Sequence, residues 1–185
     1  MSQNNNQSKE EVVLWDAFRK GDEVAFGEIA RKYYRSLFGY GIKFSNNREF
    51  IKDCIQDLMM ELWAKRDSLG DTAFVKFYLF KSLRRKIYRE SLRRKWIDED
   101  AELDFTSDYH EISIEQRLIN SETLQARITR LKAELKTLPR RQQEVIFLKF
   151  FENMDNNSIA EVMSISKPAV ANLIYRTIRD LKEKL

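Results

Sequence analysis

The sequence predicts an all-α protein built from two helical domains that an acidic flexible linker joins. Only five Gly and two Pro occur among the 185 residues, whereas β-sandwiches, barrels and collagen-like repeats need many more turn-forming residues. Charged residues make up 34% of the chain and hydrophobic residues 43%. This balance is typical of amphipathic helices with solvated outer faces, and its apolar share is too high for a largely disordered chain.

Charge and periodicity divide the chain into four segments. Residues 1–10 are polar and are predicted to form a disordered tail, and residues 11–97 then show helical periodicity. Residues 98–115 contain eight Asp and Glu and no Lys or Arg, so we expect them to form a flexible, strongly acidic linker. Residues 116–185 are periodic again and are predicted to form the second domain.

The segment 51–64 is predicted to bury one face and to bind a protein with the other. Its apolar stripe has helical spacing and consists of Ile51, Ile55, Leu58 and Leu62. The opposite face carries Asp53, Gln56, Asp57, Met60 and Ala64, with Trp63 at its margin. A methionine ringed by acids and amides is typical of a protein-binding surface, because the thioether is adaptable and the rim is polar. The alternative is that Met60 and Trp63 pack beneath a neighbouring segment.

The segment 77–95 is predicted to form a helix that binds nucleic acid. Residues 81–95 contain eight Lys and Arg against Glu90 alone. The apolar stripe consists of Leu79, Phe80, Leu83 and Ile87, and the opposite face carries Lys81, Arg84, Arg85, Tyr88 and Arg89, with Phe77 and Tyr78 one turn earlier. Cations neutralise phosphates and exposed rings stack on unpaired bases, so this face fits single-stranded or melting nucleic acid. The alternatives are a solvated basic face whose rings fold into the core, or a helix lying on an acidic membrane surface.

Two short helices over about residues 156–178 are predicted to form a helix-turn-helix, whose second helix enters the DNA major groove. Ser158 with Glu161 has the spacing of a capping box, residues 164–166 form the tight turn, and Pro168 opens the second helix. The outer face of that helix carries Lys167, Ala169, Ala171, Asn172, Tyr175, Arg176 and Arg179. Asn172 can pair with adenine, and Lys167 or Arg176 with guanine or phosphate. An ordinary helical hairpin is the alternative.

No motif for catalysis, a cofactor or a metal is present. The chain lacks both GxxxxGK[ST] and GxGxxG, its one histidine, His110, lies among the acids of the linker, and its one cysteine, Cys54, is expected to be a small buried hydrophobe. We therefore expect no enzyme activity, no cofactor and no metal. Because no signal peptide or membrane-length apolar run occurs, we expect a cytoplasmic protein without direct membrane insertion.

The order of these parts resembles the bacterial sigma-70 family of RNA polymerase sigma factors, in its small extracytoplasmic-function group. Residues 53–63, DCIQDLMMELW, resemble region 2.2, which docks on the clamp helices of the polymerase β′ subunit. Residues 74–95, FVKFYLFKSLRRKIYRESLRRK, resemble regions 2.3 and 2.4, which open and read the −10 promoter element. Residues 138–185 are similar to region 4, which reads the −35 element.

The resemblance implies a set of contact residues for each region. For polymerase binding these are Asp53, Gln56, Asp57, Met60, Glu61 and Trp63. For the −10 element they are Phe77, Tyr78, Lys81, Arg84, Arg85, Tyr88 and Arg89. For the −35 element they are Arg140, Arg141, Ser166, Lys167, Ala169, Asn172, Tyr175 and Arg176. Arg85 and Arg89 stand where many members have Asn and Asp.

The same resemblance implies the partners. They are core RNA polymerase, through its β′ clamp helices and β flap, promoter DNA, and an anti-sigma factor, which is membrane-bound in some members. The acidic linker would thread polymerase channels that normally hold nucleic acid, while a simple solubilising tether is the alternative.

Three possible functions differ in how many of these sequence features they use. A promoter-specificity subunit with no chemistry of its own uses all of them. A stand-alone helix-turn-helix regulator is the alternative, but it uses only residues 156–180 and leaves the Met60 face and the basic aromatic helix without a role. A helical enzyme is the third, and it lacks a recognisable site.

Overall fold

A computed structural model describes residues 2–72, 74–95 and 122–184. These residues form eight α-helices with one 3₁₀ turn and one π-helical turn, and none of them lies in a strand. They fall into two compact units, one on each side of residues 96–121. The prediction of an all-α fold with two helical domains is confirmed, and the predicted linker at 98–115 lies outside the described residues.

The N-terminal unit contains four helices: α1 (Ser2–Arg19), α2 (Glu23–Gly41), α3 (Arg48–Ala64) and α4 (Val75–Lys95). Helix α1 begins at Ser2, whereas residues 1–10 were expected to be a disordered tail. Residues 2–10 contain no Gly or Pro, so a helix anchored further along by the buried rings of Trp15 and Phe18 can propagate back through them at one hydrogen bond per residue.

Side-chain caps fix where α2 and α3 begin. The Asp22 carboxylate accepts hydrogen bonds from the backbone N–H groups of Val24 and Ala25, and the Asn47 side chain accepts one from Phe50. Such caps satisfy donors that have no partner within the helix. Gly21, at φ 93°, supplies the left-handed residue that the sharp turn between α1 and α2 requires.

The core of this unit contains both predicted apolar stripes. Ile51, Ile55, Leu58 and Leu62 are buried on α3, as are Leu79, Phe80, Leu83 and Ile87 on α4, and Cys54 is buried beside them. Helix α2 packs so closely on α3 that a Cβ atom at Gly41 would collide with the side chain of Ile51. The predicted burial of both stripes and of Cys54 is therefore confirmed.

The C-terminal unit contains α5 (Glu122–Thr137), α6 (Arg140–Ile146), a π-helical turn (Phe147–Phe151), α7 (Asn156–Met163) and α8 (Lys167–Lys184). Pro139 occupies the N-cap position of α6. Helices α7 and α8 form the predicted helix-turn-helix, and α8 runs on to Lys184. Ser164 ends α7 in the left-handed conformation, with φ 56°.

The predicted capping box of Ser158 with Glu161 is wrong. Helix α7 is capped by Asp155, whose carboxylate accepts from the N–H groups of Asn157 and Ser158, both at 2.8 Å. These backbone hydrogen bonds, that from Ser158 first, lower the pKa of Asp155. A carboxylate at this end of a helix also gains from the macrodipole, which favours Asp155 over the Ser158 hydroxyl.

Among the described helices none has the length and apolar character to cross a membrane.

Candidate protein- and nucleic-acid-binding surfaces

The exposed face of α3 matches the predicted protein-binding surface. Met60 is 61% exposed, and Asp53, Gln56 and Asp57 are exposed around it. Because α3 buries its opposite stripe against α2 and α4, these four side chains share one side of a helix held on a packed core. We call them the Met60 face.

Trp63 differs from the prediction that it joins this face. It is half-buried, and its ring centroid lies 5.1 Å from that of Phe26 and 6.3 Å from that of Phe18. The Arg66 guanidinium lies 4.7 Å from the centroid of the indole. Burying the large apolar ring of Trp63 against α1 and α2 is more favourable than exposing it to water. The alternative that Met60 and Trp63 both pack beneath a neighbouring segment therefore holds for Trp63 alone.

Glu61 is tied to α4. Its Oε1 accepts a hydrogen bond from Lys86 Nζ at 2.6 Å and lies 3.4 Å from Arg89 Nη2. The hydrogen bond from Lys86, followed by the charges of Lys86 and Arg89, lowers the pKa of Glu61. Glu61 is still 46% exposed on its side chain, so it borders the Met60 face while holding two cations of the neighbouring helix.

Lys86 is a buried ammonium group that the sequence analysis counted in the charge of residues 81–95 but placed on neither face of the helix. It is 5% exposed, and besides Glu61 it lies 3.7 Å from Asp57 Oδ2. A signal was present in the spacing, because position 86 follows Leu79 by seven residues and Leu83 by three, which places it on the buried stripe. Its charge concealed that position.

Most of the predicted cations and one predicted ring lie on the outer side of α4. Tyr88 is 66% exposed, Arg85 and Arg89 are exposed, and Arg84 is half-buried. Lys81 Nζ lies 5.2 Å from the centroid of the Phe77 ring, which makes a cation–π pair on the same helix. The structure therefore places one exposed ring, that of Tyr88, on the same side of α4 as these cations.

Tyr78 and Phe74 depart from the predicted set. Tyr78 is half-buried and packs edge-on against Trp15, with 5.6 Å between ring centroids. Phe74, which the predicted set omitted, is 66% exposed immediately before α4. Its position outside both apolar stripes was the available signal, since a ring that fits no stripe has no place in the core.

A cavity of about 180 Å³ lies between α3 and α4. Its apolar part is formed by Leu58, Leu62 and Leu69, and its polar part by Tyr78, Ser82, Glu61 and the cations Lys65, Arg85, Lys86 and Arg89. The cavity therefore combines an aromatic and aliphatic lining with a cationic rim, which suits a flat, hydrogen-bonding group attached to a phosphate.

Helix α8 presents the predicted DNA-facing residues. Lys167, Asn172, Tyr175 and Arg176 are exposed, and Ala169 is half-buried. The opposite side is held by Val170, Thr177 and Leu181, which are buried. Ser166 is exposed, and its Oγ accepts from the N–H of Ala169 at 3.3 Å, so its hydroxyl is occupied in capping α8. Arg140 and Arg141 are exposed at the start of α6.

Within the part of the chain that the structure describes, no group of three or more His, Cys, Asp or Glu could hold a metal ion.

Two family models match this chain. Sigma-70 region 2 matches residues 29–97, and Sigma-70, region 4 matches residues 124–181. No curated relative matches the chain.

Two solved structures share the fold. One is the structure of CnrH in complex with the cytosolic domain of CnrY, with a TM-score of 0.62, 20% identity, and coverage of 94% of this chain and 95% of that chain. The other is the sigma factor RpoE in complex with the anti-sigma factor NepR from Bartonella quintana, with a TM-score of 0.64, 21% identity, and coverage of 85% and 94%.

The two family matches occur in the order that the helices predicted, region 2 over α2–α4 and region 4 over α5–α8. Together they span most of the chain and fall on the helices that carry the surfaces described above. The chain therefore belongs to the sigma-70 family, as a promoter-recognising sigma subunit with regions 2 and 4 in that order.

Proposed function

We propose that this sigma subunit acts through three surfaces: the Met60 face on core RNA polymerase, the outer side of α4 on the −10 element, and the outer side of α8 on the −35 element. The observation that carries the proposal is the pairing of α3 with α4. An acidic, methionine-centred face and a cationic, aromatic face lie on adjacent helices of one packed unit, joined by the hydrogen bond from Lys86 to Glu61.

The Met60 face is assigned to the β′ clamp helices. An exposed methionine with acidic neighbours offers apolar contact at its centre and attraction for a basic partner at its rim. Glu61 contributes at the border, while Trp63 supports the face from beneath through its contacts with Phe18 and Phe26.

The outer side of α4 is assigned to the displaced strand of the −10 element. Arg84, Arg85 and Arg89 hold phosphates of either the duplex or the single strand, whereas Phe74, Phe77 and Tyr88 gain contact only when bases unstack. The cavity between α3 and α4 is assigned to one unpaired base. Tyr78 contributes there as part of the lining.

Removal of the Tyr88 ring should impair promoter opening more than initial binding. One lost base stack corresponds to about 1–3 kcal/mol, so we expect open complexes to fall roughly tenfold in Tyr88→Ala with little change in closed-complex affinity. Arg84→Ala should lower both the amount of open complex and the affinity of the closed complex. Permanganate footprinting of the −10 region beside gel-shift affinity at fixed salt measures the two steps. Tyr34→Ala, an exposed tyrosine on α2, is the matched control. Normal opening by Tyr88→Ala would assign that ring no role.

The exposed residues of α8 are assigned to the −35 duplex. We expect Arg176→Ala to weaken binding to a −35 duplex, and a phosphate contact should lower the slope of log affinity against log salt by about one unit for all sequences. A base contact should instead relax specificity at one or two positions. Lys182→Ala, an exposed cation in the last turn of the same helix, is the control. If Arg176→Ala leaves both affinity and salt slope unchanged, the groove assignment is wrong.

The experiment that tests the whole proposal is run-off transcription from a randomised promoter library by core polymerase with this chain added. Enrichment of transcripts that share −35 and −10 sequences supports it. DNA binding without co-purification of core polymerase would instead indicate the stand-alone regulator.

Further partners follow from the comparisons. Because a structural relative of this chain is a sigma factor in complex with an anti-sigma factor, we propose that an anti-sigma factor also binds this chain, either in solution or at a membrane.

The C-terminal unit is assigned to the β flap as well as to DNA, and the acidic residues 98–115 are assigned to polymerase channels. A subunit of RNA polymerase acts in the bacterial cytoplasm, which is where we place this chain.

A further inference from the structure

We propose that Lys86 is a positioning residue for both binding surfaces of the N-terminal unit: its buried ammonium holds Asp57 and Glu61 of α3 and, through Glu61, orients Arg89 of α4. The inference rests on the proposed function, because it concerns how the Met60 face and the −10 surface are held in place.

The geometry singles out Lys86 among the cations of α4. It is 5% exposed, whereas Arg89 is 61% exposed on its side chain. Its Nζ lies 2.6 Å from Glu61 Oε1 and 3.7 Å from Asp57 Oδ2. Asp57 and Glu61 are one helical turn apart on α3, so a single ammonium group bridges two acids that face a partner.

Arg89 extends the same network to the DNA-facing side. It follows Lys86 by one turn, and its Nη2 lies 3.4 Å from the same Glu61 oxygen. The Nε atom of Arg89 also lies 3.7 Å from Glu90 Oε1. A protein partner that binds Glu61 therefore breaks the contact between Glu61 and Arg89 and leaves Arg89 paired with Glu90 alone. A phosphate that binds Arg89 breaks the same contact and frees Glu61 for the protein partner. Such an exchange couples polymerase binding and strand binding, and the coupling is reciprocal.

This role differs from simple stabilisation of the fold. Removing one partner of a buried ion pair is strongly destabilising when it leaves the other charge buried and unpaired. Asp57 and Glu61 are 55% and 46% exposed, so both can turn to water when Lys86 is replaced. We therefore expect Lys86→Met to fold, since methionine retains most of the aliphatic stem, but to leave the two acids without a fixed orientation.

The test compares Lys86→Met and Lys86→Arg in the full chain, with Lys20→Met as a charge-matched control at an exposed site on the short turn after α1. We expect Lys86→Met to bind core polymerase about tenfold more weakly, in line with the loss of one charge-assisted contact. Lys86→Arg should recover most of the affinity and Lys20→Met should match the wild type. Thermal unfolding by circular dichroism establishes that each variant is folded.

A second readout tests whether Lys86 holds Glu61 in the folded chain. In the wild type the pKa of the Glu61 carboxyl is held below its ordinary value, first of all by the hydrogen bond from Lys86. An NMR titration of that carboxyl should show the pKa rising toward its ordinary range in Lys86→Met and remaining low in Lys86→Arg. A residue that only fills space would leave this titration unmoved.

Other outcomes overturn the inference in distinguishable ways. If Lys86→Met binds polymerase as the wild type does while Met60→Arg binds weakly, the docking face stands and the positioning role is wrong. If neither change weakens binding, the docking face is wrong as well. Should Lys86→Met fail to fold, Lys86→Gln is judged by the same readouts, and unfolding of both overturns the claim, because a positioning residue leaves the fold intact.

Discussion

Met60→Arg is expected to weaken binding of core RNA polymerase about a hundredfold while the chain keeps its fold. Met60 is 61% exposed on α3 and is not one of the four residues of the buried stripe, so the free energy of unfolding of the monomer should change little when Met60 is replaced. At the centre of an interface the same change removes an apolar contact and places a positive charge against a basic partner, and a hot-spot residue near the centre costs at least about 2 kcal/mol when it is truncated.

Fluorescence titration of labelled core polymerase measures this affinity, and a circular-dichroism melt establishes that the variant is folded. Val13→Arg makes the same apolar-to-cation change at an exposed site on α1 and should bind as the wild type does. Unchanged affinity of Met60→Arg with an intact melt would refute the assignment of this face to the polymerase.

Amphipathic spacing predicted which helix faces are buried, because burial of a stripe depends mainly on the residues of its own helix. The stripes at Ile51–Leu62 and Leu79–Ile87 are buried, and the exposure of Met60 follows from the same geometry. The alternation of apolar and polar residues therefore determined both the core of this unit and the outline of its surfaces.

Residues at the margin of a stripe could not be placed from their own helix. Trp63 packs on Phe26, and Tyr78 packs on Trp15, contacts that join residues far apart in sequence. A helical wheel contains no information on which neighbour covers its edge. Phe74 differs from these two residues, because its position outside both apolar stripes was a signal in the sequence that its ring is exposed.

Charged residues were the other limit. Lys86 was left off both the apolar stripe and the basic face, because a lysine within a basic run is normally solvated and its spacing alone did not show that its charge is compensated. Its acids lie on another helix, and only the pairing of α3 with α4 shows that a buried cation is compensated there. The candidate site was therefore predictable in its outline but not in the ionic network that connects its two surfaces.

Lys43→Met is expected to stabilise the N-terminal unit near neutral pH. Lys43 follows α2 and is only 8% exposed, and burial lowers its pKa from 10.5 to about 7. Each unit of pKa difference between the folded and unfolded states corresponds to about 1.4 kcal/mol, so the shift sets an upper limit of about 5 kcal/mol on the penalty. Because Lys43 also takes part in a further interaction that the substitution removes, we expect a smaller gain, of about 2 kcal/mol, in the free energy of unfolding at pH 7.

The direction of the pH dependence follows from proton linkage. Between pH 7 and pH 10 the unfolded chain holds a proton on Lys43 that the folded chain releases, so this residue makes wild-type stability rise with pH across that window. Below pH 7 both states are protonated and its contribution becomes constant. The advantage of Lys43→Met should therefore be largest at and below pH 7 and shrink toward pH 10.

Urea unfolding followed by tryptophan fluorescence measures this difference at each pH, because all three tryptophans lie in the first 96 residues. Lys20→Met removes a lysine of the same charge from an exposed position and should leave the pH dependence of the wild type in place. A Lys43→Met protein that is less stable than the wild type at pH 7 would show that the Lys43 side chain contributes more to stability than it loses by desolvation. An advantage that persists unchanged to pH 10 would show that folding does not lower the pKa of Lys43.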